Sequence, residues 1–175
     1  TYKLDEGWDE EKLVLRMLDE FNRMFTDDDR ARAAELGMTT DQVITLASLI
    51  EMEALNPTDL KKISSVFHNR LKSQDLTLLQ TDAAIQYARI MAGKGRTTSV
   101  LYEDLEIDSP YNTYKHPGLP PGPICSPRRD AIEAALYPED TKYVYFFATP
   151  DGTNIYNETY NGHLNDQKKY GVSGQ

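Results

Sequence analysis

Residues 40–55 read TDQVITLASLIEMEAL, and the reading of this stretch decides the fold. Val43, Ala47, Ile50 and Ala54 recur at three- and four-residue spacing, the period of a buried helix face. Leu46 and Leu49 widen that face until little of the helix is left for water. Two carboxylates, Glu51 and Glu53, fall into this apolar run. Glu51 lies one turn after Ala47 and one turn before Leu55, so it is expected to lose hydration and to hold its proton to higher pH. An acid still protonated near neutrality can give its proton to a leaving group. The alternative is a helix-end glutamate that reaches solvent or pairs with Lys or Arg. At 3.6 residues per turn Glu53 stands about 200° around the helix from Glu51, so the two cannot face one cleft.

Outward from this helix the pattern stays mainly helical. Toward the N-terminus, residues 1–7 look extended and end at Gly7. Trp8 to Phe25 reads as a helix whose stripe is Leu13, Met17, Phe21 and Met24, with Asp9, Glu10 and Glu11 at its positive end. Asp27 to Leu36 reads as a shorter helix stopped by Gly37, and Thr39 or Thr40 caps the central one. On the other side, Asn56-Pro57 breaks the helix and opens the next, which runs to Leu71 with Ile63, Val66, Phe67 and Leu71 facing inward. Leu76 to Gln80 is short and extended, and Thr81-Asp82 starts a helix through Met91. Gly93 to Gly95 is a turn, and Ser99 to Leu105 one helical turn.

Residues 109–127 are dense in Pro, Gly, Tyr and Asn. They predict a long loop, and ordered loops of that length are usually functional. Ser126-Pro127 is expected to start a helix to Leu136, with Pro127 at its first position. Tyr143 to Thr149, the turn Pro150-Asp151-Gly152 and Asn154 to Asn157 predict a β-hairpin. A closing helix spans Tyr160 to Tyr170. The fold class is α+β, mainly helical with a small antiparallel sheet.

Composition narrows the function. The 175 residues suffice for one domain with a core, or a domain and a small appendage, and 39% of them are hydrophobic. A net charge of −9 with no basic stripe argues against nucleic acid. The acidic clusters at Asp5–Glu11 and Asp27–Asp29 read as solvated helix ends. The single cysteine, Cys125, cannot form an internal disulfide. No apolar run is long enough to span a bilayer, and no signal peptide is visible. The opening Thr1-Tyr2-Lys3-Leu4 reads as the edge of a piece excised from something longer.

The three histidines, His68, His116 and His163, lie far apart, with no metal-ligand spacing, so neither a metal nor a cofactor is expected. A glycine-rich phosphate loop and a G-x-S-x-G elbow are both lacking. The loop segments at 109–114 and 118–124 combine tyrosines, an asparagine and stiff proline turns, which suits sugar rings as well as it suits a loop pinned by proline. Thr81 or Asp82 has a ready role as a helix cap. Gln80 has none, and it is expected to point into a cleft.

Five segments then fall in order: Ala-Ser-Leu-Ile-Glu-Met-Glu (47–53), Val-Phe-His-Asn-Arg-Leu (66–71), Leu-Gln-Thr-Asp (79–82), Tyr-Asn-Thr-Tyr (111–114) and Gly-Leu-Pro-Pro-Gly-Pro-Ile (118–124). The chain in this respect resembles the YceG-like, or MltG-type, endolytic murein transglycosylases over about residues 1–170. The resemblance implies a lysozyme-like catalytic core within a single domain: a helical lead-in at 1–37, the YceG-like core at 38–170 and a tail at 171–175. It implies cleavage of the MurNAc–GlcNAc bond of peptidoglycan glycan strands to give 1,6-anhydro-MurNAc ends, with no cofactor. It implies a place at the extracytoplasmic face of the cell membrane, held by an anchor outside this chain, with cell-wall synthases as further partners. The family's catalytic glutamate is matched to Glu51, which makes Glu53 structural and paired with a base. Gln80, Asp82, Tyr111, Asn112 and Tyr114 are carried over as substrate-binding residues. The final helix holds His163-Leu164-Asn165 where relatives tend to have His-Asn together, and His163 receives no role.

Glycosidases ordinarily need two carboxylates. Here one suffices if Glu51 protonates the glycosidic oxygen and then takes the proton from the sugar's own 6-hydroxyl as it attacks the anomeric carbon. Three other readings stand beside it: a glycan-binding module without activity, a lysozyme-type hydrolase, and a scaffold for synthases with no dependence on Glu51.

Overall fold

The computed structural model describes residues 7–172; the expected extended start at 1–6 and the last tail residues, 173–175, lie outside the described residues. The chain divides into two compact units, residues 1–40 and 41–175. The first holds α1 (Glu10–Met24) and α2 (Asp27–Glu35). Asp9 caps α1 by accepting the Lys12 backbone N–H at 2.9 Å. Thr26 and Asp29 cap α2 reciprocally, Asp29 N–H donating to Thr26 Oγ1 at 3.3 Å and Thr26 N–H to Asp29 Oδ2 at 2.8 Å. The stripe expected to bury α1 does not do so. The helix has no buried residue, and Val14, Leu15, Met17 and Leu18 are about half exposed. Phe25, just past its end, is buried and stacks on Phe21 with centroids 5.6 Å apart. Two short helices have too little surface between them to enclose a full apolar stripe.

In the second unit α3 (Thr40–Glu53) is the central helix, as its sequence predicts. Val43, Leu46, Ala47, Leu49 and Ile50 are wholly shielded from water, as are Ile63 and Val66 of α4 (Leu60–Lys72) and Ala84 and Ile85 of α5 (Asp82–Met91). Each fully buried Leu or Ile contributes about 1.5–3 kcal/mol. A 3-10 turn, Pro57–Asp59, precedes α4. A second, Tyr102–Glu106, precedes the long loop.

The helix α6 (Arg129–Leu136) starts two residues later than expected, with Pro127 outside it and Arg128 at the N-cap. No side chain of its own segment caps it; the Arg128 backbone N–H donates instead to Glu51 Oε2 of α3 at 2.8 Å.

The hairpin forms as predicted. Strand β1 (Tyr145–Ala148) pairs antiparallel with β2 (Asn154–Asn157) in the register Tyr145↔Asn157 to Ala148↔Asn154. Gly152 closes the turn at φ +83°, a conformation that favours glycine. Asp59 fastens β2 to the second unit's core by accepting from Asn154 Nδ2 and the Tyr156 hydroxyl, each at 3.0 Å. The last helix, α7 (Tyr160–Tyr170), is capped by Thr159 and ends at Gly171 in the left-handed region. The architecture is α+β, seven α-helices and one two-stranded sheet among the described residues. No described helix is long and apolar enough to cross a membrane.

Candidate active site

The carboxyl end of α3, the start of α5, the hairpin and α7 enclose a cleft of about 630 Å³. It lies entirely within the second unit. Glu53 lines it, and Glu51 does not. As expected, the two do not share one cleft, and it is Glu53 that faces it.

Glu53 is half-buried and lines the cleft. Its Oε1 accepts the Ala83 backbone N–H at 3.3 Å, one of the unpaired donors of the first turn of α5. Thr81 adds a side-chain hydrogen bond. Both bonds favour the carboxylate. Burial opposes them and dominates, with the neighbouring Asp82 charge adding to it, so the pKa is pushed up to about 7. Near neutrality this side chain is present in both protonation states.

Glu51 has the surroundings expected of a structural glutamate. Its Oε1 pairs with Arg128 Nε at 2.8 Å, and its Oε2 caps α6. The apolar setting expected for it is thus corrected: the sequence period placed both acids in an apolar helix, but Arg128, seventy-seven positions on, meets only Glu51.

Of the five expected substrate-binding residues, Gln80, Asp82 and Tyr114 line the cleft. The Tyr114 hydroxyl donates to Asp82 Oδ1 at 2.6 Å. Burial and that bond raise the tyrosine pKa far above its usual value. Gln80 has φ +51°, the one positive value at a described non-glycine residue. Such strain outside glycine persists where the surroundings over-determine it. Here the Gln80 N–H donates to Thr113 O at 3.1 Å, and its Oε1 accepts from Arg70 Nη1 at 3.3 Å.

Tyr111 and Asn112 do not line the cleft. Asn112 is fully buried: its Nδ2 donates to Leu105 O and Ile107 O, both at 2.8 Å, and its Oδ1 accepts the Tyr114 N–H at 3.0 Å. Its whole hydrogen-bonding capacity shapes the loop, and Tyr111 packs on Tyr87 with centroids 4.7 Å apart.

The sequence reading missed Arg70. It is 8% exposed and donates to Val144 O at 2.7 Å, Leu78 O at 3.2 Å and Leu79 O at 2.9 Å, tying α4 to the hairpin and to the segment that leads into Gln80. Burial lowers its pKa, yet a guanidinium stays charged in proteins. It also lies over the Tyr145 ring, 5.3 Å from the centroid. Its spacing from Phe67 and Ile63 on α4 was the available signal, since it falls on the same inward face. The aromatic wall of Tyr145, Phe146 and Phe147 and the α7 residue His163 also line the cleft. No group of His, Cys, Asp and Glu suited to a metal ion occurs among the described residues.

Fold and cleft together define an α+β protein with one half-buried, high-pKa acid in a polar and aromatic groove. The model of the YceG-like family matches residues 1–169, and the chain belongs to that family. It is similar to a Bacillus subtilis protein named endolytic murein transglycosylase, 47% identical over 133 residues, covering 76% of this chain and 35% of that protein. A Streptococcus pneumoniae protein of the same name is 36% identical over 160 residues, covering 89% of this chain and 28% of that protein. The crystal structure of a YceG-like protein from Listeria monocytogenes aligns with TM-score 0.80 and 38% identity over 94% of this chain and 52% of that one. The chain thus spans about a third of the curated relatives it matches.

Proposed function

We propose that this chain carries the catalytic centre of an endolytic peptidoglycan lytic transglycosylase, with Glu53, not Glu51, as its single acid and base. One observation carries the reading: in the cleft, burial holds Glu53 at a pKa of about 7. A group so poised can give up a proton and recover one in a single catalytic cycle. The relatives' shared name supports the substrate class.

In this mechanism a glycan strand lies in the cleft with a glycosidic oxygen at the Glu53 carboxyl. The protonated acid gives its proton to that oxygen, and the bond to the anomeric carbon breaks. Glu53, now a carboxylate, takes the proton of the same MurNAc residue's 6-hydroxyl as its oxygen attacks the anomeric carbon. The product ends in 1,6-anhydro-MurNAc, no water is consumed, and the enzyme regains its starting state. Holding the 6-hydroxyl near the reacting carbon replaces an activated water. Asp82 is engaged by Tyr114 and is not required as a second acid. A peptidoglycan substrate implies action on the extracytoplasmic side of the membrane.

The test is the mass of the muropeptides released from purified murein. Wild type should give ends one water lighter than hydrolysed ends, and Glu53→Gln should lose about a hundredfold to ten-thousandfold in rate. Reducing ends from wild type would instead make the chain a hydrolase. Binding without any product would make it a glycan-binding module.

A further inference from the structure

In the cleft wall one polar atom has no partner. His163 Nδ1 is shielded from solvent and makes no hydrogen bond among the described residues. Buried polar atoms are paired in the great majority of cases, so each exception calls for a physical account. The ring is held by packing, 5.3 Å from the Tyr145 centroid and 5.4 Å, edge to face, from Phe147. Burial, with the nearby Arg70 charge, favours the neutral imidazole over the opposing pull of Asp166. A neutral ring carries one proton. An orphaned N–H is rarer than an orphaned lone pair, so Nδ1 is the bare nitrogen and Nε2 holds the hydrogen. His163 lines the cleft, and its Nε2 makes no hydrogen bond to a described residue.

Three other donor side chains at the cleft are engaged inside the protein. Arg70 serves three backbone carbonyls and Gln80, the Tyr114 hydroxyl serves Asp82, and Asn154 Nδ2 serves Asp59. We infer that His163 is a substrate-positioning contact: its Nε2–H donates to an acceptor oxygen of the bound glycan, and the unpaired Nδ1 is the structural cost of aiming it there. The inference rests on the transglycosylase reading and gives the cleft a donor from α7.

The test uses the whole chain carrying Glu53→Gln, so that the strand binds and is not cut. The probe is soluble glycan strands freed of their stem peptides, titrated by calorimetry. Adding His163→Phe keeps a flat ring between Tyr145 and Phe147 but removes both nitrogens. It should weaken binding about 3- to 10-fold, the range of one lost hydrogen bond, and hold or raise the melting temperature because the orphan atom is gone. Adding His163→Gln, whose amide nitrogen reaches the position of Nε2, should bind within about threefold of the parent. In the Glu53 background His163→Phe should raise KM more than it lowers kcat, and His163→Gln should leave KM close to that of the wild type.

A structural histidine would show the reverse: His163→Phe would bind normally, or His163→Gln would bind no better than His163→Phe. Either result overturns the inference while the catalytic reading stands. A parent that binds no glycan, with a wild type that cuts none, overturns both.

Discussion

Glu51 and Glu53 are two residues apart on one helix and meet opposite fates. One is a fastener: it pairs with Arg128 and caps α6. The other faces a cleft, gathers weak partners from the start of α5 and holds its proton to about pH 7. The same contrast recurs on the loop, where the Asn112 amide is held by two backbone carbonyls and a backbone N–H, and Tyr114, two residues on, lines the cleft. In both pairs the residue type gives no warning. The difference is made by what a distant segment brings: Arg128 to one acid, and Thr81 with Ala83 to the other. A carboxylate that is paired has given up the freedom that proton transfer needs, and an unpaired one keeps it.

The largest effect that can break this comparison is on rate. Glu53→Gln should lose about 10²- to 10⁴-fold in anhydro-muropeptide release and keep its fold. Glu51→Gln should keep turnover within a few-fold and melt earlier. If Glu51→Gln silences the enzyme at an unchanged melting temperature while Glu53→Gln stays active, the assignment is inverted.

Next in size is a dependence of stability on pH. The folded state holds the Glu53 proton to about pH 7, whereas an unfolded glutamate releases it near its ordinary 4.5. Between these values the native state binds more protons than the unfolded state, so Glu53 makes stability fall as pH rises, and the effect levels off above pH 7. With water in the cleft allowed for, the change amounts to about 2–3 kcal/mol. Glu53→Gln stays neutral throughout. Urea unfolding from pH 5 to pH 8 should show it gaining on wild type by about that amount, and a constant difference would show that the cleft does not hold the proton. The rate should carry the matching signature, with kcat/KM declining above about pH 7 as the acid form is depleted.

Much of this scaffold was legible in the chain. The helical period of residues 40–55, the hairpin around Pro150-Asp151-Gly152 and the closing helix all formed where their local chemistry predicts. Local patterns determine local structure, and these elements needed little else. The site was legible only in part. Gln80 was found because no structural role could be given to it, and it lines the cleft. The match to the family's motif points to Glu51 and leaves Glu53 structural; helix period fixes the angle between the two side chains but not which of them meets a cation. Asn112 is carried over with the family motif as a binding residue, on a polar loop that suits sugars and equally suits its own carbonyls. Asn112→Ala separates these uses. Stranding two carbonyls should cost about 1–3 kcal/mol in urea unfolding, with KM unchanged at a temperature where the variant is folded. A rise in KM at full stability would return Asn112 to the cleft.

The smallest effect is also the one that defines the fastener. Arg128 is 65% exposed, so its ion pair with Glu51 is screened by water, and exposed pairs contribute about 0.2–1 kcal/mol. The cap on α6 is a separate contribution, since the Arg128 backbone N–H remains when the side chain is cut back. Arg128→Ala should therefore cost only the exposed ion pairs of its side chain, with Glu51 and, at 3.7 Å, with Asp130. Glu51→Gln keeps an oxygen that can accept the N–H but loses the charge. Glu51→Ala loses both, and a lost helix cap costs about 1 kcal/mol. The order of unfolding midpoints should be wild type, then Arg128→Ala and Glu51→Gln close together, then Glu51→Ala. A double-mutant cycle between Arg128→Ala and Glu51→Gln should give a coupling below about 1 kcal/mol that shrinks with added salt. If Glu51→Ala is no less stable than Glu51→Gln, the cap contributes nothing and the difference between the two acids reduces to one surface charge.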